Sequence, residues 1–256
     1  MTGQTSPDPT PNISSGRLLA DDLLAAIDPS EVFARAFANP PLEWQFDYLR
    51  EHRHALVLKG RQIGASQSAA ALAIHCAIYK PNSLTAIVSP SLKQSTEICT
   101  RARHGLERLG ERLVQDSASL LRLRSGGRIL SLPGTASSVR GWSADLLILD
   151  EAAYLAHETI VAARALVAAT GGRMVVQSTA GAAVGDFYDM CQAPDPTWGF
   201  YRVRSDQVST ISADFLASER KAMTPDAFAA EYECQFGRVG ASLFSAERIA
   251  SLVLAK

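Results

Sequence analysis

Short, almost continuous apolar runs recur along the chain and are separated by longer stretches of mixed character. The runs are "ALVLK" (55–59), "LTAIVS" (84–89), "DLLILD" (145–150), "RMVVQS" (173–178) and "FYRVRS" (200–205). Runs of this length without apolar–polar alternation predict strands covered on both faces. The segments 66–79, 91–112, 157–169 and 185–191 between them read as helices. Strand–helix alternation predicts an α/β fold, a mostly parallel sheet flanked by helices. "LLRLRSGGRILSLPG" (120–134) breaks the series and predicts a hairpin turning at Ser125-Gly126-Gly127.

Helical additions are expected at both ends of this series. "SEVFARAFA" (30–38) reads as a helix with Ser30 as N-cap, and a second begins near Leu42, after Pro40-Pro41. Helices are also expected from Ser212 and from Thr224, the latter with Thr224 as N-cap and Pro225 at the first helical position. Residues 1–17, polar and proline-rich with no apolar signal core, are expected to be a disordered tail. One domain is expected over 18–240, followed by a short segment, 241–256.

Composition narrows the picture. In 256 residues, 47% hydrophobic, there is enough apolar surface for a sizeable core. A net charge of −1 provides no global field for nucleic acid, so any such contact needs a local patch. No apolar run has the length of a membrane span, and the expectation is a cytoplasmic protein without membrane contact. Cys76, Cys99, Cys191 and Cys234 show no metal spacing and read as reduced core thiols. His52 and His54 read as a solvated turn.

The candidate chemistry begins where the first strand runs into "LKGRQIGAS" (58–66). A strand, a glycine-rich turn and a helix form a phosphate trap, because the turn's N–H groups and the helix N-terminus face the anion. Gly60, Arg61, Gln62, Ile63, Gly64 and Ala65 form the turn, and Ser66 stands where a hydroxyl ligates Mg²⁺. Ala65 occupies the position where such loops carry their lysine. Lys59, at the front, is long enough to reach over the loop; it could equally end the strand and extend to solvent. Downstream, "ADLLILDEAAY" (144–154) ends a strand in Asp150 and Glu151, the kind of strand expected beside the phosphate-loop strand, and fits a Mg²⁺ residue followed by a general base. "MVVQSTAG" (174–181) places Ser178 and Thr179 at another strand end, and Gln45 in "PLEWQ" is a candidate reader of the adenine edge. Arginines 101, 103, 108, 112, 122, 124 and 128 make a candidate surface for DNA phosphates, offset by Glu107, Glu111 and Asp116.

The order PLEWQ, KGRQIGAS, AIVSPSLKQ, SVRGWSADLLILDEAAY and QSTAG resembles the ATPase domain of the large terminase subunit of tailed bacteriophages over roughly residues 40–240. One group of these proteins carries its loop lysine at the front, as K-x-R-x-x-G-x-S, and Lys59, Arg61, Gly64 and Ser66 match. The resemblance implies a P-loop NTPase fold of the ASCE type that binds ATP and Mg²⁺. In it Lys59 is the phosphate lysine, Arg61 acts on the γ-phosphate, Asp150 holds Mg²⁺ and Glu151 is the catalytic base. Ser178, Thr179 and Ala180 match a segment that couples hydrolysis to movement; Arg140 matches an arginine whose role is phosphate sensing or contact between subunits. Implied partners are double-stranded DNA, further copies in a ring, a portal and procapsid, and a small terminase subunit, in the host cytoplasm. Full-length members add an RNase H-type nuclease, and residues 241–256 resemble the start of the linker toward it; with Asp186, Asp189 and Asp195 read as solvated, DNA cutting is not expected of this chain. The alternatives from the residues are a helicase-like ATPase unconnected with packaging, and a silent nucleotide-binding module with Ala65 as its lesion.

Overall fold

Branched and leucine-rich runs shielded on both faces become the middle of a sheet, as four of the five do here; the fifth, at 200–205, forms its edge. The computed structural model describes residues 13–237, with side chains from residue 20 onward. Three helices lead, α1 (Ile13–Ile27), α2 (Pro29–Phe37) and α3 (Glu43–Arg50). They are followed by β1 (Ala55–Lys59), α4 (Ala65–Tyr79), β2 (Leu84–Ser89) and α5 (Leu92–Arg108). A meander, β3 (Leu113–Asp116), β4 (Leu120–Leu123) and β5 (Arg128–Pro133), precedes α6 (Ala136–Val139). Then come β6 (Leu146–Asp150), α7 (His157–Ala168), β7 (Arg173–Ser178), α8 (Asp186–Gln192) and β8 (Gly199–Val203). Helices α9 (Ala213–Ala222) and α10 (Pro225–Tyr232) close the described chain.

The sheet order is β3-β4-β5-β2-β6-β7-β1-β8. From β5 to β8 every pairing is parallel, while β4 runs antiparallel to both neighbours. Strand alternation sends Val57, Ile87, Ile129, Ile148 and Val175 to one face, where they pack on α2, α4 and α5. Leu56, Leu58, Val88, Leu147, Leu149 and Val176 fill the other face, with α7 and α8. Alanines 69, 70, 71, 73 and 77 of α4 are buried; their small side chains let this helix lie close to the sheet beneath the loop that precedes it.

Four expectations change. The N-cap of α2 is Asp28, whose Oδ1 accepts the Ser30 N–H at 2.9 Å; Pro29 takes the first helical position and pushes the cap upstream of Ser30. Helix α1 starts at Ile13, inside the expected tail; residues 1–12 and the segment 241–256 lie outside the described residues. The strand with the paired acids is not beside β1, because β7 lies between them. His54 is not solvated: its Nδ1 accepts the Met174 N–H at 3.0 Å and its ring meets Trp198 edge-on. Cys99, Cys191 and Cys234 are buried and Cys76 is partly so, all as free thiols. Among the described residues no helix is long and apolar enough to cross a membrane.

Candidate functional site

The C-terminal ends of β1, β7 and β6 lie side by side and bring three motifs to one edge, the position where open parallel sheets bind ligands. The turn after β1 is shaped by two glycines. A Cβ on Gly60 would stand 2.4 Å from Ser205 Oγ and 2.9 Å from the Tyr232 carbonyl, so only glycine fits. Gly64 has φ of +87° and caps α4 in the left-handed region. Gln62 adopts a left-handed φ of 60° without being glycine, a departure tolerated where surrounding structure holds it.

The front of the turn is tied to protein: Gly60 N donates to Val203 O and Arg61 N to Glu231 O, each at 2.7 Å. The N–H groups of Gln62, Ile63, Gly64, Ala65 and Ser66 have no partner among the described residues. They line a cleft of about 320 Å³ together with Lys59 and Arg101. Unpaired N–H groups at the start of a helix carry its positive end, which is what a phosphate requires. Ala65 turns its methyl group into a small apolar cluster with Ile63, Val203 and Val208.

Lys59 supplies the cation. Its side chain is 9% exposed, and Nζ donates to Glu151 Oε1 at 2.6 Å. Burial pulls the ammonium's pKa down, but the Glu151 and Asp150 charges outweigh it and hold the pKa above the ordinary lysine value. Glu151 sits at φ 53°, ψ 46°, and its Oε2 accepts from Ser178 Oγ at 3.2 Å. It lines a second cleft, of about 310 Å³, with Arg61, Gln94, Tyr154, Thr179 and Glu231. The Lys59–Glu151 pair therefore joins the two clefts. Arg61 is half-exposed and paired through Nε to Glu231 Oε2 at 3.0 Å.

Asp150 is 6% exposed. Burial raises its carboxyl pKa, opposed chiefly by Lys59. Gln177 Nε2 donates to its Oδ1 at 2.7 Å, leaving Oδ2 with no side-chain partner. The half-buried Ser66 hydroxyl makes no hydrogen bond among the described residues. A buried carboxylate and a free hydroxyl are hard oxygen donors and fit Mg²⁺ completed by phosphate and water.

Other expected residues are placed differently. Gln45 does not present its amide to either cleft. It is 3% exposed; Oε1 accepts the Leu42 N–H at 2.9 Å, and Nε2 donates to Ser68 Oγ at 2.9 Å and Gly64 O at 3.2 Å. In this structure it braces the loop exit. Arg140 is exposed at the end of α6 and lines neither cleft. Ala180 N donates to Ala230 O of α10 at 3.4 Å, so the segment 178–180 touches Glu151 at one end and the C-terminal helices at the other. Asp186 meets His157 at 2.9 Å, and the exposed Asp195 accepts from Thr197, both as ordinary surface groups.

The arginine surface divides. Leu121 and Leu123 of β4 pack in the same core as α5, so Arg122 points to the opposite face of the sheet. Arg103 is engaged by Asp116 at 2.6 Å. The exposed stripe of α5 that remains is Lys93, Arg101 and Arg108, with Glu97 among them. Sequence reasoning missed Arg101 and Gln177 as parts of the site: the first read as part of the candidate DNA surface, the second as an ordinary strand residue. A larger cavity, about 590 Å³, lies among α1, α4 and the starts of β6 and β7, at the far end of the sheet.

Comparison with known proteins bears on the family and the fold. The family model described as terminase large subunit, T4likevirus-type, N-terminal, matches residues 56–251. The fold is similar to the large terminase ATPase domain of Thermus phage P74-26, with TM-score 0.72 and 20% identity, covering 82% of this chain and 99% of that one. The large terminase of bacteriophage HK97 gives 0.66 at 14% identity, covering 82% and 55%. A large terminase from a thermophilic bacteriophage, solved in complex with ADP, gives 0.63 at 9% identity, covering 77% and 54%. The chain thus spans about half the length of the latter two. No curated protein matches its sequence.

Proposed function

This chain belongs to the terminase large subunit family, as its N-terminal, ATPase-domain part, and from that premise we propose that it hydrolyses ATP to drive duplex DNA into a procapsid. The observation that carries the reading is the Lys59–Glu151 contact at 2.6 Å beside a row of unpaired loop N–H groups. It supports a reading in which Lys59 neutralises phosphate and Glu151, its ion-pair partner, is the base.

In this reading the N–H groups of residues 62–66 hold the phosphates, and Lys59 exchanges its carboxylate partner for phosphate oxygen. Glu151 is thereby released to take a proton from water in the second cleft, oriented by Ser178. Arg61 lies at that cleft's edge, where it stabilises charge on the departing γ-phosphoryl group. Asp150 and Ser66 would hold Mg²⁺, which neutralises phosphate charge when bound. Thr179 and Ala180 carry the change toward α10, and the α5 stripe gives a sequence-independent hold on DNA phosphates. In the same reading Arg140, exposed and outside both clefts, reaches a neighbouring copy in a ring. The portal, the small terminase subunit and the host cytoplasm belong to the same proposal.

The test is phosphate release from Mg²⁺–ATP with and without duplex DNA, for wild type and Glu151→Gln. Loss of a general base lowers turnover by about 10²–10⁴-fold, with nucleotide binding retained. A Glu151→Gln protein that turns over like wild type refutes the assignment. Activity indifferent to DNA and to empty procapsids would favour an ATPase without a packaging role.

A further inference from the structure

We propose that Gln177 is a positioning residue for the cation site, holding Asp150 by one oxygen and offering its own carbonyl to a water of a hydrated divalent cation. The inference rests on the ATPase reading of the cleft.

Gln177 lies opposite Asp150 in the β6–β7 register and is completely buried. Its amide NH₂ donates to Asp150 Oδ1 at 2.7 Å. A carboxylate has no proton to donate, so the contact fixes which end of the amide faces it. The carbonyl Oε1 is then left buried, with no hydrogen-bond partner among the described residues. On the other side of Asp150, Ser89 ends β2 one residue beyond the Val88–Leu149 pair. It is also fully buried, and its hydroxyl too has no partner among the described residues.

Strand alternation puts all three on one face. Ile87, Ile148 and Val175, each two residues upstream, share the core beneath α4 and α5. Lys59, two residues past Val57 of that core, has the same parity. The sheet edge under the phosphate loop thus carries a buried carboxylate flanked by two orphaned polar groups. Proteins seldom leave such groups unsatisfied, because each forfeits its hydration without return. A leucine at 177 would have removed the cost. An amide that orients a metal carboxylate and accepts from a metal-bound water would satisfy both ends, and partners of this kind commonly tune metal affinity.

The experiment measures affinity for a fluorescent ADP analogue in EDTA and across a Mg²⁺ titration, for wild type, Gln177→Leu and Ser89→Ala, with thermal unfolding of each. The expected result for Gln177→Leu is EDTA affinity within about twofold of wild type and a half-maximal Mg²⁺ concentration raised about tenfold or more. Ser89→Ala should shift the same midpoint less. A merely structural role would weaken binding equally with and without Mg²⁺, and that outcome overturns the proposal, as does an unchanged Mg²⁺ midpoint. Wild type that binds no nucleotide under either condition brings down the ATPase reading and this inference with it, whereas wild type that binds while the Gln177→Leu midpoint stays put refutes this inference alone.

Discussion

Replacing Lys59 with methionine keeps the stem's volume and deletes the charge. Asp150 and Glu151 are then left without their cation. Removing one partner of a buried ion pair costs about 3–5 kcal/mol. The lower end applies here, because the Glu151 side chain is 22% exposed and can regain water, whereas Asp150 cannot. A loss of about 3 kcal/mol lowers Tm by about 6–12 °C in a domain of this size. The deficit must depend on pH. Burial already raises the Asp150 pKa and Lys59 is the leading opposing influence, so without Lys59 it rises further above the unfolded-chain value of about 3.9. A carboxyl with a raised folded-state pKa binds its proton more tightly when folded, so the variant gains stability relative to wild type as pH falls through that pKa. Wild type keeps the Lys59 contribution at neutral pH, since the raised lysine pKa delays its loss to strongly alkaline solution. Calorimetry at pH 8 and pH 5 should show the Tm gap narrow toward pH 5. Lys59→Met combined with Glu151→Gln should lose less than the sum of the single changes, because the second removes one of the two stranded charges. Phosphate release should fall to background in Lys59→Met. A gap that is absent at both pH values, or that widens on acidification, refutes the electrostatic account, and wild-type turnover refutes the lysine assignment.

Two further outcomes separate roles that the residues alone leave together. Gln45→Ala leaves the Leu42 N–H without its acceptor, at about 1–3 kcal/mol for a group left unsatisfied, while the Gly64 carbonyl keeps the Gln67 and Ser68 N–H groups at 3.1 Å; equilibrium binding should show ATP and GTP weakened alike, and a selective loss of ATP would support Gln45 as an adenine reader. Arg101→Gln removes an exposed cation from the rim of the phosphate cleft, and a loss of up to about 1 kcal/mol should appear as weaker ATP binding with AMP unchanged; equal weakening of AMP would place Arg101 outside the phosphate contacts.

The legibility of this chain follows the physics of its segments. The apolar runs stood out because strands shielded on both faces carry few polar residues to confuse them, and four of the five match the structure to within one residue at either end. The run 200–205 is shifted, because Arg204 and Ser205 leave β8 for a short 3-10 turn whose Ser205 hydroxyl bonds the Arg61 carbonyl at 2.8 Å. Strand β3 escaped notice because its residues are mostly exposed and show no alternation. The motif residues of the loop and acids were visible as types in order along the chain. Gln177 was not, since a glutamine in an apolar strand gains meaning only when β7 is seen lying against β6. Gln45 was noticed but its surroundings were only partly legible: its carbonyl's partner Leu42 is three residues away, but the partners of its NH₂ are 19 and 23 residues away.

In the proposed function, a lysine entering from the strand changes how the site responds to nucleotide. In a phosphate loop the cation must reach the anion, and nothing in Coulomb's law specifies the side from which its stem arrives. Position 65 would launch a lysine from the first turn of α4, where Ala65 instead fills an apolar cluster with Ile63, Val203 and Val208. Lys59 leaves from the strand beneath, on the face that alternation assigns to α4, and its stem is sheltered while its ammonium meets Glu151. The two launch points serve one destination, but they differ before nucleotide arrives. A lysine at the end of β1 lies against the acids at the end of β6, with β7 between the two strands, and is neutralised by them, so cation and base are held as one pair. Phosphate must compete with Glu151 for Lys59, and that competition frees the carboxylate only when an anion is there to replace it. An arrangement of this kind couples activation of the base to arrival of the triphosphate through one ammonium group, and moving that group to the helix side would break the coupling even if binding survived.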